Sequence, residues 1–219
     1  MLAQGLLDFQ YESDSSRHGL TSLAGLPVYI DLIKASGLGA AIRRHVRAAG
    51  GQGWLDIQVV LAVIFLNLSG GDCVDDIEKL EHDSGFSAIL KAIEHNLLSR
   101  AERRSLKSRW RRERGRALPS PSALLGWLER FHDKASPKAV AGTAFIPAVT
   151  AELRGLWRVN QALLEFQQKH QPATSATLDM DATLIETHKR DALFCYKHFK
   201  AYQPLNCCPS FTVGRRKSL

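Results

Sequence analysis

The sequence has no apolar run long enough to cross a membrane. Its most apolar stretch, Trp54–Leu68, covers 15 residues and includes Asp56, Gln58 and Asn67, whereas a membrane-spanning helix needs about 20 apolar residues. The first residues, MLAQGLLDFQYE, carry no positive charge, which does not fit a secretory signal. We therefore expect Trp54–Leu68 to be a buried core helix, and no membrane partner.

The sequence also lacks the spacings of common structural and cofactor sites. The four cysteines, Cys73, Cys195, Cys207 and Cys208, show no paired spacing, which favours a reducing cytoplasm over a disulfide framework. His188 and His198 flank Cys195, but no Cys-x-x-Cys or His-x-x-x-His set completes a zinc site, so surface positions are the favoured interpretation. The sequence also contains no glycine-rich dinucleotide-binding motif, no Walker-type phosphate-binding motif and no Gly-x-Ser-x-Gly nucleophile motif.

Positive charge is concentrated in one segment. The chain has a net charge of +7, and Arg100–Arg116 holds nine Arg or Lys against two Glu, so the other residues balance at 20 basic and 20 acidic. Such a segment predicts a polyanionic partner, most often nucleic acid, although charge runs also form solvated helix faces. The candidate DNA contacts here are Arg103, Arg104, Lys107, Arg109, Arg111, Arg112, Arg114 and Arg116. Trp110 could touch sugar or base, but an anchor to the core is the more common role.

Hydrophobic periodicity predicts a mainly helical chain up to Pro172. Helices are expected over residues 26–35, 38–47, 54–68, 74–82, 86–95, the basic segment, 121–132 and 147–169, with another opening at Ser136-Pro137. Ser120 followed by Pro121 is a typical cap and first-turn pair, and 120–132 could also be the second helix of a helix-turn-helix. After Pro172, Ser175–Thr183 alternates with period two, which predicts a strand, and the aromatic-rich stretch Phe194–Tyr202 predicts a second strand.

Two acids stand within the first of these strands. Residues two apart on a strand point the same way, so Asp179 and Asp181 would share one face about 6–7 Å apart. Asp is disfavoured in strands, and carboxylate oxygens are the ligands that Mg²⁺ and Mn²⁺ prefer. The pair therefore predicts a site for divalent cations, with a solvent-facing strand as the plain alternative.

The sequence around these acids resembles a known family. Thr177-Leu-Asp-Met-Asp-Ala-Thr-Leu-Ile-Glu-Thr-His-Lys-Arg190, followed by Ala192 and Tyr196-Lys-His-Phe-Lys-Ala-Tyr-Gln-Pro-Leu-Asn206, is similar to the first catalytic strand and hairpin of DDE transposases of bacterial insertion sequences, in the branch with an Asp-x-Asp-x-Thr strand. Upstream similarities are Leu20–Leu26, Asn67–Asp72 with Asp75-Asp-Ile77, and Leu118–Ser122. The resemblance covers most of residues 20–206.

The resemblance implies a helical DNA-binding domain over residues 1–172 and the first strands of an incomplete ribonuclease H-like α/β core over 173–206. It implies an Asp/Asp/Glu triad holding two Mg²⁺ (or Mn²⁺) ions that cleave and join DNA, with Asp181 as the first carboxylate and Asp179 as second choice. Double-stranded DNA at transposon ends is the implied partner, in a bacterial cytoplasm near the nucleoid, and a homodimer is left open. Further contacts with the DNA backbone are expected at Lys189, Arg190, Lys197 and Lys200, although these residues could equally form an exposed hairpin face.

The second Asp and the Glu cannot be placed on this sequence. No acidic residue follows Asp191, and residues 207–219 have no counterpart in the family. We therefore expect a catalytically incomplete transposase fragment whose tail arises from a frameshift or premature stop, with a natural short end as the alternative. The alternatives are a non-catalytic DNA-binding regulator or remnant, and a helical interaction module without a nucleic-acid partner.

Overall fold

A computed structural model describes residues 20–50, 53–107, 115–132, 148–173, 175–190, 192–202 and 205–212. The chain divides into a helical unit, Met1–His132 with Thr150–Leu163, and a second unit, Asp133–Val149 with Leu164–Leu219. The predicted helix opening at Ser136-Pro137 lies outside the described residues.

Helices make up most of the described chain, as the sequence predicted. They are α1 (Leu26–Ala35), α2 (Leu38–His45), α3 (Asp56–Leu68), α4 (Ile77–His82), α5 (Ser84–Leu97), α6 (Arg100–Lys107), α7 (Pro121–Leu128) and α8 (Ala151–His170), with 3-10 turns at Val74–Asp76 and Glu129–Phe131. The Ser120 side chain accepts a hydrogen bond from the Ala123 N–H at 3.3 Å, which confirms it as the cap of α7.

The core of the helical unit is built around α3. This helix buries Ile57, Val59–Ala62, Phe65 and Leu66, so its apolar residues face neighbours on nearly every side, as a central helix requires. Phe65 meets Phe86 of α5 edge to face, with ring centroids 5.6 Å apart. The prediction that the most apolar stretch is a buried helix is confirmed.

The second unit holds two small antiparallel pairs. Strand β1 (Ser175–Ala182) pairs with β4 (Leu205–Thr212), and β2 (Ile185–Glu186) pairs with β3 (Ala201–Tyr202). Residues 207–212, which the sequence assigned to a tail, are therefore part of a strand that pairs with β1.

The predicted continuous strand over Phe194–Tyr202 is wrong. Phe194 instead forms a bridge with Lys200, and the chain reverses between them through His198, which has a positive φ of 64°. A single strand fails here because the backbone of Cys195 hydrogen-bonds to Phe199 at 2.9 Å, so the segment folds back on itself.

Among the described residues, no helix is both long and apolar enough to cross a membrane.

Helix α8 approaches the end of α2 at a glycine. A Cβ atom added to Gly155 would collide with the carbonyl oxygen of His45 and lie 3.6 Å from the Val46 Cα. The obstacle is backbone rather than a flexible side chain, so it cannot be relieved by a rotamer change. Gly155 therefore permits the close packing that buries Val159 of α8 in the helical core.

Replacing Gly155 by Ala is expected to destabilise the protein by about 1–3 kcal/mol, because the added methyl group overfills a site closed by backbone. Gly126→Ala is the matched control: it lies within α7 with nothing within 4 Å of an added Cβ, so it should stabilise the protein by about 0.5–1 kcal/mol. Urea unfolding measures both. A Gly155→Ala protein as stable as the parent would contradict this packing.

Candidate nucleic-acid interface

The basic segment begins with a helix whose N-terminus is capped by two reciprocal hydrogen bonds between Ser99 and Glu102. The Ser99 hydroxyl accepts from the Glu102 N–H at 3.2 Å, and the Glu102 carboxylate accepts from the Ser99 N–H at 2.7 Å. This reciprocal capping box satisfies two amides that helix geometry leaves without partners. It sets the start of α6 at Arg100.

The same carboxylate attaches α6 to the rest of the helical unit. Arg43 of α2 donates from Nε to Glu102 at 2.6 Å and also donates to the Leu97 carbonyl at the end of α5. Burial raises the pKa of Glu102, but the hydrogen bond from the Ser99 N–H and the ion pair with Arg43 outweigh this, and the pKa lies below its ordinary value. Glu102 is therefore ionised at neutral pH and joins α2, α5 and α6.

One face of α6 carries three of the predicted DNA contacts, Arg103, Arg104 and Lys107, together with Arg100, which was not among the predicted contacts. Arg100, Arg104 and Lys107 are exposed, and Arg103 is half-buried. Together the four side chains line an open surface depression of about 260 Å³. Within the described part of the chain, Arg100, Arg104 and Lys107 make no ion pair, so their charges face solvent.

The other end of the basic segment is held by two carboxylates of α4. Glu81 accepts from the Leu118 N–H at 2.8 Å and from the Ala117 N–H at 3.1 Å. Arg116 donates to Glu78 at 2.9 Å and to the Leu118 carbonyl at 3.2 Å. Arg116, a sequence-predicted DNA contact, thus has partners inside the protein.

A further hydrogen bond closes this end, where Lys91 of α5 donates to the Gly115 carbonyl at 2.7 Å. The remaining predicted contacts, Arg109, Arg111, Arg112 and Arg114, lie outside the described residues. The described residues on either side of them are held by hydrogen bonds, through Glu102 at the start of α6 and through Lys91 and Glu81 at residues 115–118.

The acidic pair lies on a strand, as the sequence predicted. Asp179 and Asp181 belong to β1, where Asp179 is opposite Cys208 and Asp181 opposite Asn206 of β4. Their side chains lie outside what the structure describes. Elsewhere in the described chain, no three His, Cys, Asp or Glu side chains gather into a group that could hold a metal ion, so Mg²⁺ or Mn²⁺ binding stays a prediction.

The four cations predicted near the acids lie on or beside the hairpin formed by β2 and β3. Lys189, Arg190 and Lys197 are exposed, and Lys200 is half-buried, with its amine 3.4 Å from the Arg190 carbonyl. The hairpin belongs to the same unit as β1. These residues are available for contact with an anion at the surface of that unit.

Sequence reasoning missed the residues that position the basic segment. Glu102 carried a local signal, since Ser99-x-x-Glu102 is the capping-box pattern. Arg43 and Glu81 carried none, because each meets its partner across more than 30 residues of sequence. Long-range ion pairs of this kind have no periodic signature.

Comparison with known proteins identified no matching family model, no curated protein and no solved structure.

Glu102→Gln is expected to lower the free energy of unfolding at neutral pH by about 1–2 kcal/mol, because it weakens charged hydrogen bonds to Arg43 and Ser99. Since the folded-state pKa is lowered, this stabilisation is present above the ordinary value of 4.5 and is lost as pH falls through the folded pKa. The difference between parent and variant should therefore shrink in acid.

Denaturant titrations at a series of pH values measure this difference. Glu152→Gln is the control, since Glu152 of α8 has no ion pair within the described residues and its replacement should change stability little. A constant Glu102→Gln penalty down to the most acid pH would contradict an ionised Glu102 anchor.

Proposed function

We propose that this chain binds duplex DNA through α6 and the basic residues that follow, as the DNA-binding part of a transposase of the DDE type. The observation that carries the proposal is the charge excess: the whole net charge of +7 is accounted for by Arg100–Arg116, and α6 turns Arg100, Arg104 and Lys107 outward without ion pairs among the described residues.

The dimensions of α6 suit a phosphate backbone. From Arg100 to Lys107 the helix rises about 10.5 Å, and the same length of duplex axis carries about six phosphate charges. Cations in this array gain affinity by releasing condensed counterions from the DNA, and such contacts carry little base specificity. The binding we expect is therefore strongly salt-dependent and tolerant of sequence.

The transposase part of the proposal comes from the resemblance around the acidic strand. Asp181 would be the first metal-binding carboxylate, with Asp179 beside it, and Mg²⁺ or Mn²⁺ bound there would activate the attacking oxygen in phosphodiester cleavage. The resemblance requires two more carboxylates, and no acidic residue follows Asp191. We therefore do not expect this chain to cleave DNA by itself.

A non-catalytic DNA-binding regulator is the second candidate, because the basic helix α6 is held within the helical unit without any contribution from the acidic strand. Both candidates use α6 in the same way, because its anchors lie in the helical unit and not in the acidic strand. The two candidate functions differ in whether Asp179 and Asp181 take part in a reaction. A measurement of DNA affinity does not distinguish between them.

Replacing Arg100, Arg104 and Lys107 together by Ala is expected to weaken duplex binding and flatten its salt dependence. Removing each cation that binds a phosphate should reduce the slope of log K against log salt by about 1. Fluorescence anisotropy with a labelled duplex, at several salt concentrations, measures both affinity and slope.

The control removes the same three charges elsewhere, through Lys34→Ala, Arg158→Ala and Lys169→Ala, all exposed helix positions. This protein, and one with Asp179 and Asp181 changed to Ala, should keep the parental slope. Equal losses of affinity in the α6 variant and the charge-matched control would mean that net charge alone attracts DNA, and the proposed interface would be wrong.

A further inference from the structure

Two aromatic rings are exposed to solvent on the hairpin of the second unit. Phe194 is 72% exposed and Tyr196 71% exposed. Aromatic side chains usually bury about 150–250 Å² each when a protein folds, so two large exposed rings two residues apart are unusual in a hairpin. Exposed apolar groups that lie close together are a feature of binding surfaces.

Hydrogen-bonded backbone supports the rings. The Cys195 N–H donates to the Phe199 carbonyl at 2.9 Å, the Ala201 N–H donates to the Leu193 carbonyl at 3.1 Å, and the His198 N–H closes the turn onto the Cys195 carbonyl at 3.0 Å. On the other edge, the Thr187 N–H donates to the Lys200 carbonyl at 2.9 Å. Residues 199–201 are therefore hydrogen-bonded on both sides. The two exposed rings belong to residues 194 and 196, in the segment that pairs with one of these sides.

One cation lies beside the Tyr196 ring, and others are exposed on the same hairpin. The Lys197 amine lies 5.8 Å from the centroid of the Tyr196 ring, and Lys189 and Arg190 are exposed on the same hairpin. Residues 183–202 contain two acids, Glu186 and Asp191, against four cations, Lys189, Arg190, Lys197 and Lys200. Such a surface suits a polyanion with accessible flat, apolar groups, because the rings can stack on those groups while the cations pair with the negative charges.

We propose that this hairpin, residues 183–202, binds unpaired DNA, with Phe194 and Tyr196 stacking on bases and Lys189, Arg190 and Lys197 contacting phosphates. Stacking requires an open base face, which a paired duplex hides within its own stack, so the preferred ligand is single-stranded. The choice of DNA as the nucleic acid rests on the proposed function.

An apolar groove on another protein is a weaker fit. Burying both rings in such a groove would also desolvate the Lys197 amine beside Tyr196, and an unpaired buried charge is costly. A phosphate next to a stacked base pairs with that amine instead. The same geometry thus satisfies the rings and the charge together.

The test compares a labelled oligothymidylate of about 16 nucleotides, the upper end of common single-strand site sizes, with a mixed-sequence duplex. Changing Phe194 and Tyr196 together to Ala should lower single-strand affinity about tenfold or more, since each base–aromatic stack contributes roughly fivefold or more and two stacks are removed. Duplex affinity should stay at the parental value, because α6 is intact.

Three further variants make the result specific to stacking. Tyr196→Phe keeps the ring and should keep single-strand affinity. Tyr196→Leu keeps apolar bulk without an aromatic face and should lose single-strand affinity. These two variants test stacking even if the double Ala protein folds poorly. Trp157→Ala removes an aromatic that is 63% exposed on α8 and should change nothing.

Single-strand binding that is absent in the parent, or equal in the parent and in the Tyr196→Leu and double Ala proteins, would overturn the inference. The proposed function fails separately, through duplex binding that does not depend on Arg100, Arg104 and Lys107.

Discussion

The arrangement of the basic segment depends on carboxylates supplied by the helical core. A run with nine cations repels itself and has few apolar residues to pack. Glu102 secures its beginning through Arg43 and the Ser99 amide, and Glu81 secures its end through the amides of 117 and 118. These acids act at the two ends of the segment, and among the described residues Arg100, Arg104 and Lys107 of α6 make no ion pair, so their charges remain directed to solvent.

The acidic helix α4 and the residue after it connect several distant parts of the chain. Asp83 caps α5 through the Phe86 N–H and also accepts hydrogen bonds from Thr21 and Ser22. Burial raises the pKa of Asp83, but these hydrogen bonds lower it overall. Glu81 binds the amides just before α7. One unit therefore contains the three upstream stretches on which the family resemblance was based, residues 20–26, 75–77 and 118–122.

Local sequence patterns were predictable, and single long-range contacts were not. The continuous apolar run of α3 and the Ser120-Pro121 cap both follow from local rules, and both are present. The strand prediction for the aromatic-rich stretch 194–202 was wrong, because composition favours a strand while the turn at His198 is set by hydrogen bonds between residues three and four apart. Arg116 was counted as a DNA contact because its pairing with Glu78, 38 residues away, leaves no trace in the sequence.

The central claim is that duplex DNA lies against the outer face of α6. Lysine acetylation read by mass spectrometry, with and without saturating duplex, tests this at a single amine. The account predicts that DNA protects Lys107 while the exposed amines of Lys34 and Lys169 stay as reactive as in the free protein. Equal modification of Lys107 in free and DNA-bound protein would contradict it.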